Sequence, residues 1–383
     1  MFPLASHTIF VTLAGSQAHG TARADSDVDL RGVCIAPSSV RLSLFQSFSQ
    51  FEGELTAELD ALIAPRLRQH PTASPRPADK TEVVVFDLAK FVRLCALANP
   101  NALEILFADE GDWVHETPAW RRLHRERHHF LTRRVEQTFL GYASAQLKKI
   151  ETHRAWLLRP PQTQPSRAAF GLPPQGTLSR DHRTRIEQSI TRQLRAYGID
   201  ELELPQPLRI ALQERLLALT SDLLSADADD LEQRTRAVAS HALQLPTDVI
   251  TTLNAEKRYR AAMKHWQSYQ AWKAHRNPVR AELERKHGYD TKHAMHLIRL
   301  MRMSLEALQA GELRVRRDDA AELAAIRDGS LSYEALIDTA RELEGAVRAA
   351  SETTSLPADI DEPWVDRLVA AMLAPSLRAA SAD

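Results

Sequence analysis

The stretch Gly15-Ser16-Gln17-Ala18-His19-Gly20, followed by Ser26-Asp27-Val28-Asp29-Leu30-Arg31-Gly32, decides the reading of this chain. It sets a glycine-serine turn after the apolar run Thr8–Leu13, then places two carboxylates, one residue between them, on a second apolar run. In a strand, side chains at i and i+2 share a face. Asp27 and Asp29 are therefore expected to project together, with Val28 and Leu30 turned into a core. Two acids facing one space repel each other unless a cation sits between them. Carboxylates suit magnesium, which takes one or two of them together with substrate phosphate oxygens. Gly15 lets the backbone come close to a ligand, and Ser16 offers a hydroxyl and an N–H at a helix start, a combination that holds phosphate. A phosphate-sized turn beside a metal-sized acid pair points to chemistry on a nucleoside triphosphate.

A two-metal site needs a third carboxylate from a neighbouring strand. The run Thr81–Phe86, with Val83, Val84 and Val85 at its centre, supplies that strand. Glu82, Val84 and Phe86 fall on one face and Val83, Val85 and Asp87 on the other. Asp87 has a separate explanation as the N-cap of a helix over Leu88–Ala98, which leaves Glu82 as the first choice and Asp87 as the alternative. The segment between the second and third strands, about 38–80, reads as a mobile insertion, since Arg66–Lys80 holds three prolines among polar residues.

From Asp87 onward the pattern is helical. A long helix is expected over Thr132–Leu158, then a proline-rich connection to Pro174 and helices from Arg183. The aromatics Tyr259, Trp266, Tyr269 and Trp272 read as a packing stripe on a helix over Ala255–His275. Asn277-Pro278 is a helix start, and a further helix runs from Asp290 to a stop at Gly311. On it Lys292, His296, Arg299 and Arg302 fall at i, i+4, i+7 and i+10, one stripe of cations suited to gripping a triphosphate. His124 and His128 read as surface histidines. No Walker-type loop, nucleophile elbow or dinucleotide fingerprint is present.

The 383 residues suffice for two or three domains, and 44% hydrophobic with 26% charged residues is ordinary for a soluble globular chain. Cys34 and Cys95 are too few for a disulfide framework or a cysteine-rich zinc site, so a cytoplasmic setting is expected. No signal peptide and no membrane span is expected. The formal net charge is -1, but residues 120–195 hold 16 Lys or Arg against 5 acids and residues 255–317 hold 15 against 6. Those segments read either as solvated helix faces or as a wall for an RNA backbone.

Gly15-Ser16 with Ser26-Asp27-x-Asp29 resembles the signature of the DNA polymerase β-type nucleotidyltransferase superfamily. Within it the chain is similar to a bacterial and phage family of predicted nucleotidyltransferases with a long helical C-terminal part. Asn99-Pro100-Asn101-Ala102-Leu103-Glu104, Phe170-Gly171-Leu172-Pro173 and Tyr289-Asp290-Thr291-Lys292-His293-Ala294-Met295-His296 carry that likeness. The resemblance implies an α+β fold, a small mixed sheet flanked by helices and followed by a mostly helical region. It implies two Mg2+ ions (Mn2+ as an alternative) and transfer of a nucleoside monophosphate from an NTP with release of pyrophosphate. On this reading residues 1–115 form the catalytic domain and 116–383 the helical part. Asp27, Asp29 and Glu82 hold the metals, and Gly15, Ser16, Lys292, His296 and Arg299 bind the nucleotide. The expected acceptor is an RNA or tRNA 3′ end. The alternatives are adenylylation of a protein or small molecule and a nucleotide-binding regulator.

Overall fold

A computed structural model describes residues 2–23, 26–70, 81–174 and 247–380. The helices expected from Arg183 lie outside the described residues, as does 71–80 of the expected mobile insertion. Strand β1 (Thr8–Ala14) runs directly into α2 (Gly15–His19), after a first short turn α1 (Leu4–His7). Then come β2 (Val28–Cys34), α3 (Ser38–Arg41), β3 (Gln50–Glu54), α4 (Ala57–Leu67), β4 (Thr81–Asp87), α5 (Leu88–Ala96), α6 (Pro100–Leu106), β5 (Trp113–Glu116), α7 (Pro118–Arg125) and α8 (Val135–Leu158). Within the expected insertion, residues 38–41, 50–54 and 57–67 form the regular elements α3, β3 and α4.

The five strands form one mixed sheet in the order β3-β4-β2-β1-β5. Only β2 and β4 pair in parallel, with Asp29 opposite Glu82 and Leu30 opposite Val83. Alternation splits the sheet into two faces, as expected of half-buried strands. Val11, Leu13, Val28, Leu30, Val83 and Val85 pack on Leu59 and Ile63 of α4. The other face carries Phe10 and Val33 into a larger core with Phe91, Trp120, Phe139 and Ile298. Burying such a side chain is worth roughly 1.5–3 kcal/mol, so this second face anchors the surrounding helices.

The remaining helices are α9 (Thr247–Ala274), α10 (Pro278–His287), α11 (Thr291–Ala310), α12 (Ala320–Arg327), α13 (Tyr333–Thr353) and α14 (Glu362–Ala380). Local chemistry sets their ends. Asn99, Asn277, Asp290 and Ser332 each accept a hydrogen bond from an N–H in the first turn of the helix they precede. Gly311 closes α11 with φ of 66°.

The chain divides into two compact units, residues 1–159 with 277–383, and residues 160–276. The first contains the sheet and α10 to α14, with α11 packed against α8, α12 and α13. In the second, the 3-10 turn Ala168–Phe170 meets α9, where Phe170 lies edge-on to Tyr259 and Arg167 pairs with Glu256. Tyr269 of that helix is buried between Trp266 and Trp272, which suits a packing stripe.

Candidate active site

The two halves of the opening motif meet at one end of the sheet. Ala14, the last residue of β1, pairs with Asp29, the second residue of β2. The next residue is Gly15, whose φ of 58° begins α2. A Cβ on Gly15 would lie 2.4 Å from Asp29 Oδ2, so the missing side chain is what lets the carboxylate sit against the turn. Ser16 follows within α2, and its carbonyl accepts from the N–H of Thr21 at 2.9 Å, which folds the chain back toward β2.

The parallel pairing places Glu82 beside Asp29, on the face expected from its period. Asp27 is exposed just ahead of β2. Burial raises the Asp29 carboxyl above its usual range, and the neighbouring Glu82 and Asp27 add to it against the opposing pull of Arg31 and Lys292. Lys292, in the first turn of α11, makes no hydrogen bond or ion pair with another described residue. Partial desolvation lowers its ammonium, helped by the cations Arg280 and Arg327, while Asp27 and Asp29 hold it up. Asp87 lies on the opposite face and is buried. Its carboxylate accepts from Ala89 N at 3.0 Å, capping α5, and from Ala36 N at 3.3 Å.

Arg299 departs from the expectation of a triphosphate grip. It is 6% exposed, and its guanidinium is held by Glu104 of α6. The other Glu104 oxygen lies 3.1 Å from His19 Nε2, at the end of α2. Burial alone would raise Glu104, but Arg299 and His19 overcome it and hold the carboxyl well below the usual range. The same burial lowers His19, aided by Arg299. His296 is pushed down to about 2 by burial, with Arg299, His19 and Lys292 contributing. Both rings are neutral at pH 7. Arg302 is farther still from the expected role, since it pairs with Asp319 at 2.7 Å and Glu322 at 2.6 Å. Of the predicted stripe, Lys292 alone faces the acids. Arg299, Glu104 and His19 form a brace at the end of α2, and His296 lies half-buried on the same helix as Arg299.

Two residues that the sequence reading left without a role line this region. Arg31 shares the face of Asp29 by period two. Its Nη2 lies 3.3 Å from Glu82 Oε1 and 3.6 Å from Asp29 Oδ1. Glu104 belongs to the quoted Asn-Pro-Asn-Ala-Leu-Glu run, but its partners lie 85 and 195 residues away. A cleft of about 250 Å³ is lined by Gly15, Asp29, Arg31, Phe86, Asn101 and Glu104, among others.

The donor set fits a divalent cation of the magnesium type. It is all carboxylate, the acids repel one another, and Gly15 leaves space at Asp29 Oδ2. Among the described residues, His153, Asp290 and His293 bring ligand atoms within 4.8 Å of one another, which Asp27, Asp29 and Glu82 do not. Arg280 already occupies Asp290 Oδ2, and Lys149 adds positive charge at His293, so this group reads as a clamp on the start of α11. Several arginines of the basic segments are engaged among the described residues: Arg121 pairs with Glu116, Arg134 with Asp359, Arg280 with Asp290, Arg316 with Asp112 and Arg317 with Glu306. No helix among the described residues is long and apolar enough to cross a membrane.

No curated protein and no solved structure matches the chain. Residues 5–159 match the model of a family described as RlaP, the RNA repair pathway DNA polymerase beta family. The match contains the whole sheet, Gly15, Asp27, Asp29 and Glu82, and ends where the first stretch of the sheet-bearing unit ends. Over those residues the chain is similar to the polymerase β-type nucleotidyltransferases that this family model describes.

Proposed function

We propose that the protein is a metal-dependent nucleotidyltransferase that transfers a nucleoside monophosphate from an NTP to the 3′ hydroxyl of an RNA, releasing pyrophosphate. One observation carries the reading: Asp29 and Glu82 stand side by side on parallel strands, with Asp27 near them and the glycine-serine turn at the end of the adjoining strand. Asp27, Asp29 and Glu82 would hold divalent ions, which supply charge neutralisation at the phosphates and lower the pKa of the acceptor hydroxyl. Ser16 and the N–H groups after Gly15 bind phosphate oxygens. Lys292 neutralises charge on the triphosphate, and its exposed position suits release of the product. Arg299 acts from behind, by holding α2 against α11 through Glu104 and His19. The free, buried Cys34 and Cys95 agree with a reducing cytoplasm.

The RNA acceptor is supported by the description of the matching family. A second reading, adenylylation of a protein or small molecule, is favoured by the number of arginines in the basic segments that already face a carboxylate. The two separate in one experiment. The protein is incubated with each α-labelled NTP and with cell RNA or RNA-free lysate, beside Asp27→Ala and Asp29→Ala variants. Label on RNA that both variants lose is expected. Label on protein alone would replace the acceptor assignment, and label that survives both substitutions would refute the site.

A further inference from the structure

We propose that Arg31 is the built-in counter-cation of the carboxylate site, so that its hydrogen bond to Glu82 and a divalent ion on the Glu82 side exclude one another. The inference rests on the reading of Asp27, Asp29 and Glu82 as metal ligands and goes beyond it. Period two on β2 puts Arg31 on the same face as Asp29, and the parallel register puts Glu82 across from Asp29 and Val84 across from Arg31. The guanidinium spans the pair, with Nη2 at 3.3 Å from Glu82 Oε1 and 3.6 Å from Asp29 Oδ1, while Nη1 donates to Leu30 O at 3.0 Å. Two carboxylates on adjacent strands thereby face a cation that belongs to the chain itself.

That cation differs from every other group near the site. A guanidinium stays charged at any pH the protein meets, so it cannot yield its place by losing a proton. It must swing away or repel the incoming ion. Arg31 is 23% exposed on its side chain, and it lines the cleft shared with Phe86 and Asn101, so it has somewhere to go. Asp27 is exposed and Asp29 sits nearer the phosphate turn, so an ion accompanying the triphosphate uses oxygens that Arg31 touches least. The Glu82 side is the guarded one. It fills last, after an arriving acceptor has drawn Arg31 off, and transfer to water in the absence of acceptor is held down.

The test is direct binding of Mn2+, read as loss of the free-ion electron paramagnetic resonance signal, with a non-hydrolysable NTP analogue present and no turnover. Wild type is expected to show a tight and a weak class of site. Arg31→Gln should tighten the weak class by about tenfold or more, since a dication within a few ångströms of a guanidinium is strongly repelled even in water-like screening. Arg31→Lys keeps the charge on an ammonium that cannot span both carboxylates, and should fall between the two. In a Glu82→Gln background the Arg31→Gln change should add less than twofold, because the guarded ligand is gone. Melting curves establish that each variant is folded. If Asp29→Asn abolishes binding while both Arg31 variants match wild type within twofold, the counter-cation is refuted and the metal site stands. If wild type and Asp29→Asn bind Mn2+ alike, the metal reading itself fails.

Discussion

Gly15 and Gly20 bracket α2 and allow a controlled perturbation of the acid site. Both have positive φ, 58° and 74°, so alanine at either position pays a left-handed backbone penalty of about 1–2 kcal/mol. Their surroundings differ. A Cβ on Gly20 would meet Ala320 Cβ at 3.6 Å, an ordinary contact, whereas a Cβ on Gly15 would meet Asp29 Oδ2 at 2.4 Å. Ordinary contact begins near 3.4 Å, so Gly15→Ala forces the carboxylate to retreat by roughly 1 Å. Misplacement on that scale costs on the order of 100-fold in rate. Gly20→Ala should lower the melting temperature by about 2–6 °C and leave nucleotidyl transfer within a few-fold of wild type. Gly15→Ala should show a similar or slightly larger drop in melting temperature and lose about 100-fold in kcat with labelled NTP. Differential scanning calorimetry and single-turnover transfer measure the two quantities separately. Equal activity loss in the two variants, or full activity in Gly15→Ala, would refute the claim that Asp29 depends on the bare turn.

Two further outcomes follow from the geometry. Asp87→Ala removes two hydrogen bonds at the start of α5 and should cost about 1–2 kcal/mol in urea unfolding while sparing the chemistry, whereas Glu82→Gln should abolish transfer and leave stability nearly unchanged. The reverse pattern would make Asp87 the third carboxylate. Stability should also fall with acid in a particular window. His19 and His296 are held below their usual 6.5, so they are neutral when folded and protonate in the unfolded chain as pH drops past that value. Stability present above about pH 6.5 is then lost at up to about 1.4 kcal/mol per pH unit for each ring. Below about pH 4.5 the depressed Glu104 carboxyl adds to the loss, because the unfolded chain takes up its proton first. Urea titrations at pH 7.5, 6 and 5 should show that slope, and His296→Gln should flatten it.

The parts of the fold that a local pattern encodes were legible. Val28 and Leu30 alternate with Asp29 as strand residues must, and Asn277 and Asp290 announce helix starts through side chains that accept from the next turn, whereas Asn99, read as a helix end, also caps the start of α6. The short edge strands were not. Gln50–Glu54 is polar and carries a glycine, and Trp113–Glu116 has four residues, so neither offers enough alternation to read. Within the site, Asp29 and Glu82 could be matched because face and period belong to single strands. The ion pair of Arg299 could not be foreseen, because a stripe on one helix does not reveal that Glu104, 195 residues earlier, meets it inside the core. Long-range ion pairing decides whether an arginine serves a ligand or the fold, and sequence spacing is silent on it.

The way the two compact units divide the chain bears on how this protein can be dissected. Residues 160–276 form one uninterrupted inset, bounded by Arg159 at the end of the family-matched segment and by Asn277 at the start of α10. The glycine-serine turn and the carboxylates come from before the inset, and Lys292 from after it, yet all belong to one compact body. The corollary for dissection is that cutting the chain at 159 would strip α11 from α8 and bare Phe139, Ala143 and Ile150. A truncation that respects the architecture removes the middle and rejoins the ends.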